Sequence, residues 1–222
     1  MQGGLSCLEL KMEQQWLERV KKSVFPLSVE KGDIRKALHE WFYTGDCYDL
    51  EFGRDDCELC GHPDIRYQFQ IKNRHTQNGL LIGSECITRF DIPAVDERGS
   101  NLSSGQTAQI VAKDRRKLIN GAKERRMMLA LIELKKRETD FDIEDFINYY
   151  AERGAFTPKQ ISTLFWRLEK NGIAYLASDF KLTIRRDREK NQLLALKDFQ
   201  QAKILPCLSA SQRKFLEGNQ QL

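Results

Sequence analysis

The stretch from Asp55 to Phe90, DDCELCGHPDIRYQFQIKNRHTQNGLLIGSECITRF, limits what the chain can fold into more than any other. Cys57 and Cys60 form a Cys-x-x-Cys pair, followed by a glycine. Ile65, Tyr67, Phe69 and Ile71 then alternate with Arg66, Gln68, Gln70 and Lys72. This period of two predicts a strand with one buried face. Asn78-Gly79 supplies residues that accept the positive φ of a tight turn, and LLIG returns as a second strand. Gly83-Ser84 opens a short helix that carries Cys86. A knuckle, a hairpin and a helix start thus bring three thiols to one end. A structural zinc ion takes four protein ligands in a tetrahedron, so the pattern predicts a Zn²⁺ site with one ligand still to be named.

Geometry ranks the candidates for that ligand. His75 lies near the hairpin tip, and about seven strand residues place it about 20 Å from the sulfurs. Cys47, upstream in a segment free to swing toward the site, is the preferred fourth ligand beside Cys57, Cys60 and Cys86. His62, just past the knuckle, and His39 are alternatives. So are a water, an unidentified oxygen ligand, and a metal-free hairpin with buried thiols.

The phrases EWFYTGDCYD, CELCGHPDIRYQFQIKN and LLIGSECITRF resemble a treble-clef-like zinc-finger segment of poorly characterised bacterial, phage and mobile-element proteins, over about residues 40–92. In some of those, histidine or cysteine stands at or beside the position of Gln68. The resemblance implies a zinc-binding module associated with nucleic acid, and no named activity.

Elsewhere the chain reads as mainly helical. Helices are expected over 9–23, with Leu10, Trp16 and Val20 on one face, and over 34–44, capped by Asp33 and ended by Gly45. Residues 96–106, DERGSNLSSGQ, read as a linker. A long helix follows over 107–137, with Val111, Leu118, Ala122, Leu129 and Ile132 as its apolar stripe. A helix from Asp142 to Gly154 is followed by Thr157-Pro158-Lys159-Gln160, a strong helix start. That second helix should bury Ile161, Leu164, Phe165 and Leu168. FKLTIRR reads as a strand and LLALKDFQQAKI as a helix, and Ser209-x-x-Gln212 caps a last one. The pair of helices and the strand after them suggest a winged-helix-like element. The fold class is therefore α+β, mainly helical. It divides into N-terminal helices (1–45), a zinc module (46–95) and a basic helical domain (107–222).

Charge is unevenly spread over a chain whose net charge is +4. Residues 101–137 carry 10 Lys/Arg against 3 Asp/Glu, residues 138–155 carry 1 against 6, and residues 156–222 carry 12 against 6. Basic blocks of this kind suit a polyanion, since neutralising phosphates releases counterions. The expected contacts are Arg115, Arg116, Lys117, Lys123, Arg125, Arg126, Lys159, Arg167, Arg185, Arg186 and Arg188. The leading expectation is a zinc-stabilised, non-enzymatic nucleic-acid-binding protein, with DNA ahead of RNA as partner. A protein–protein adaptor is the first alternative. A metal-dependent nuclease using His75 is the second, and no Asp-His or His-Asn pair supports it. No apolar run approaches the length of a membrane span, and the N-terminus lacks a secretory core, so a cytoplasmic location without a membrane partner is expected.

Overall fold

The computed structural model describes residues 7–219, with side chains described from Gln15 onward. The chain is α+β and mainly helical. Nine α-helices occur among the described residues, with one three-stranded antiparallel sheet of order β1-β2-β3. The strands are β1 (Trp41–Asp49), β2 (Tyr67–Asn73) and β3 (Gly79–Ile82). Two compact units divide the chain, Met1–Ile119 and Asn120–Leu222, each with its own apolar core.

In the first unit, α1 (Cys7–Val24) buries Val20 and Val24, with Trp16 partly buried on the same core. Leu10 lies outside the residues whose side chains are described. Asp33 caps α2 (Ile34–His39) through the amides of Arg35 and Lys36, as expected. The helix then stops, and Trp41, Phe42 and Tyr43 begin a strand instead of continuing it. Trp41 and Tyr43 point into the core at period two, and β1 pairs with β2 from Trp41↔Asn73 to Asp49↔Tyr67. Aromatic residues favour a pleated, half-buried surface, and the exposed edge of β2 outweighs the helical reading of 40–44. Gly45 is no helix stop. At φ +89° it sits in the bulge that shifts the β1–β2 register between Tyr43 and Cys47.

A β2–β3 hairpin forms as expected, with register Phe69↔Ile82 to Lys72↔Gly79, but Gln77 and not Asn78-Gly79 takes the positive φ of its turn; α3 (Ser84–Arg89) follows it. The segment 96–106 is tied down. Asp96 accepts the amides of Arg98 and Ser100, Val95 bridges Asn101, and the Leu102 amide donates to Ala94 O. Ser103 and Gln106 then exchange hydrogen bonds as a capping box that starts α4 (Ser104–Arg137).

Thr107 and Val111 of α4 are buried in the first core, and the division between the units falls farther along the same helix, not at 96–106. The expected stripe holds through Ala122 and then fails: Leu129 is 61% and Ile132 46% exposed. Met127, Ala130, Leu131 and Leu134 belong to the second core instead. Around them pack α5 (Glu144–Arg153), α6 (Pro158–Lys170), α7 (Asp187–Leu194), α8 (Asp198–Ile204) and α9 (Ala210–Asn219). Thr157 and Gln160 form the capping box of α6, which buries Ile161, Leu164, Phe165 and Leu168 as the sequence predicts. The expected strand and wing at 180–186 do not form. That segment makes a single parallel bridge, Phe156↔Leu182, and its Phe180 ring packs edge-on against Phe165 at 5.0 Å. Burial of Phe180 and Leu182 anchors this stretch without a partner strand.

Candidate metal centre

The hairpin delivers its three cysteines to one point. Cys57, Cys60 and Cys86 are buried, and their sulfurs all lie within 4.8 Å of one another. Cys86 Sγ is 3.7 Å from Cys57 Sγ and 3.4 Å from Cys60 Sγ. Sulfurs at about 2.3 Å from a tetrahedral ion are about 3.8 Å apart, so three corners of such a tetrahedron already exist.

The backbone around these thiols favours negative charge. The Gly83 amide donates to Cys57 Sγ at 3.4 Å. The Cys57 thiol is pulled down by its hydrogen bond with Cys86 and by the amides of Gly83, Cys60 and Leu59, against the opposing effect of burial. Cys86 is pushed up, by its hydrogen bond with Cys57 and by burial. Soft, closely spaced sulfurs of this kind suit a thiophilic metal ion.

The sulfurs open on a cavity of about 240 Å³ lined also by Trp16, His62, Arg66, Glu85, Arg89 and Arg115. Arg66 is held by a two-pronged ion pair to Asp49, and Arg89 lies over the Trp16 ring at 4.5 Å. Neither Arg66 nor Arg89 is among the basic contacts expected from the sequence. Arg66 reads from the alternation as an outward strand position, and only the pairing of β1 with β2 shows which carboxylate it meets.

Cys47 is not among the grouped sulfurs. It stands on β1 opposite Phe69, with its thiol pushed up by burial and by Asp114. Tyr43 donates to Asp114 Oδ2 at 2.9 Å, so Cys47 belongs to that polar cluster. Its segment, expected to swing, is fixed as a strand. Gln68 is buried and donates to Asp55. His75 sits at the exposed hairpin tip with its amide on Asn73 Oδ1, and neither it nor His39 lines the cavity.

The expected basic contacts fall into separate groups. Arg115, Arg116 and Lys117 are exposed on α4. Arg125 is exposed and Lys123 half-buried on the same helix. Lys159, Arg186 and Arg188 line a second cavity of about 310 Å³ with Tyr149, Thr157 and Gln192, and Arg185 is exposed beside them in sequence. Arg126 and Arg167 have internal roles. Arg126 pairs at 2.8 Å with both oxygens of the buried Asp179. Arg167 pairs with Glu138 and lies over the Phe141 ring. No protein-family model matches the chain, and no curated protein or solved structure is significantly similar to it. Among the described residues, no helix is long and apolar enough to cross a membrane.

Proposed function

We propose that Cys57, Cys60 and Cys86 hold a zinc ion in a treble-clef-like module, and that the chain is a zinc-stabilised nucleic-acid-binding protein. The observation that carries the metal is the gathering of three buried sulfurs, two of whose separations, 3.7 and 3.4 Å, are near those of a tetrahedral thiolate site. The ion is structural in this reading: it ties the knuckle after β1 to the helix after β3.

The nucleic-acid part rests on exposed charge. Arg115, Arg116 and Lys117 form one exposed basic run. Lys159, Arg186 and Arg188 converge on one cavity, an arrangement that suits phosphate oxygens. Contacts of this kind are sequence-independent and weaken steeply as salt rises.

Two measurements test the proposal. Metal analysis of the purified protein should give one zinc per chain. Cys57→Ser, Cys60→Ser and Cys86→Ser should each lose it, while Cys47→Ser keeps it. Fluorescence anisotropy with labelled DNA and RNA duplexes and single strands should then show affinity that falls with added salt. Binding to none of them, or binding indifferent to salt, would leave the metal site standing and remove the nucleic-acid reading.

A further inference from the structure

We infer that the fourth ligand of the metal is the imidazole of His62, which turns into the cavity when the ion binds. This rests on the three-cysteine reading above and completes it.

The backbone of His62 is already fixed beside the sulfurs. Gly61 turns the chain at φ +67°, its amide donates to Cys57 O at 2.7 Å, and the Cys57 amide donates back to His62 O at 2.9 Å. Gly61 and His62 are thus each held to Cys57 by one hydrogen bond, and the His62 side chain borders the same cavity as the three thiols. That side chain is exposed, and no hydrogen bond or ion pair among the described residues holds its ring. Its nitrogens lie outside the 4.8 Å sulfur group, so ligation requires a change of rotamer.

Competing donors are worse placed. Glu85 also borders the cavity, but it precedes Cys86 on α3, where neighbouring side chains diverge by about 100°. Cys47 stands on β1 opposite Phe69, outside the sulfur group, and neither His39 nor His75 lines the cavity. A Cys₃His set is a closed structural site of ordinary composition for zinc, with the nitrogen at about 2.0–2.1 Å.

The test uses the full chain, labelled with ¹⁵N and titrated with zinc. A ring-nitrogen resonance of His62, assigned by its loss in His62→Ala, should move on zinc addition. His62→Ala should weaken zinc binding, measured by competition with a chelator, by about tenfold or more, the scale on which even indirect partners of a ligand act. His62→Cys should restore it, and His75→Ala should leave it unchanged. If the His62 resonance stays put and His62→Ala binds zinc as tightly as the wild type, solvent holds the fourth position. The inference then falls while the three-cysteine site stands. If the wild type takes up no zinc, both fall together.

Discussion

Glu40 stands at the junction of α2 and β1 with 8% of its surface exposed. Its carboxylate accepts the amides of Val29 and Glu30 and the Asn73 side chain, each at 2.8 Å. Burial alone would raise its pKa, but these hydrogen bonds outweigh it and hold the group below its ordinary value of 4.5. A depressed carboxylate adds stability that is present above the ordinary value and is lost as pH falls through the folded value. Urea midpoints of the wild type should therefore drop as the solution is acidified below about 4.5, and Glu40→Gln should show a shallower dependence. Glu40→Ala, which strands three donors, should cost about 2–3 kcal/mol near neutrality. An unchanged midpoint would show that water replaces the carboxylate.

Two arginines on α4 separate fold from function at the same scale. Arg126→Ala leaves the Asp179 carboxylate, 2% exposed, without its partner and should cost about 2–3 kcal/mol, less than a fully buried pair because Arg126 is itself partly exposed. Arg115→Ala should leave the urea midpoint unchanged and weaken nucleic-acid binding. The opposite pattern would exchange their roles. Sequence alone places both residues in one basic block, because a charge run does not say which members meet a carboxylate distant in the chain.

At the level of elements, legibility follows how much local information each one carries. β2 announces itself through alternation and α6 through a capping box, whereas the expected Asn78-Gly79 turn is not used: Gln77 takes the positive φ, and Gly79 already pairs with Lys72 in β3. The α4 start is also written locally, in Ser103-x-x-Gln106, and was hidden by the glycine and serines that make the segment read as a linker. β1 is not legible in this way. Trp41 and Phe42 satisfy a helical stripe with Ile34 and Leu38, and only the availability of β2 makes them a strand. FKLTIRR alternates like a strand but finds no second strand to continue its one bridge. The three sulfurs were legible because a hairpin determines where its ends meet, whereas the surroundings of Cys47 depend on β1 and on Asp114. The bulge in β1 gives a test: Gly45→Ala meets no neighbour, so its cost of about 1 kcal/mol should come from the positive φ alone. Circular dichroism melts against Gly105→Ala, a helical position also without neighbours, would check this.

Across the whole molecule, two cores imply two separable responses. The sulfurs, the sheet and Trp41 belong to the first core, and the Phe156–Phe165–Phe180 cluster belongs to the second. Removing a bound metal should lower the stability of residues 1–119 and leave the amides of the second core protected. Hydrogen exchange with and without chelator would measure this region by region. Equal loss of protection in both units would show that they unfold as one.

The hairpin tip carries a last consequence. Thr76 and Asn78 both donate to Leu27 O, and the amides of His75 and Thr76 are taken up by the buried Asn73. A turn so fastened is a poor place to open the chain. Tags, reporter insertions or new termini placed between residues 75 and 78 would tear out these four hydrogen bonds and unfasten the turn from Leu27 and Asn73.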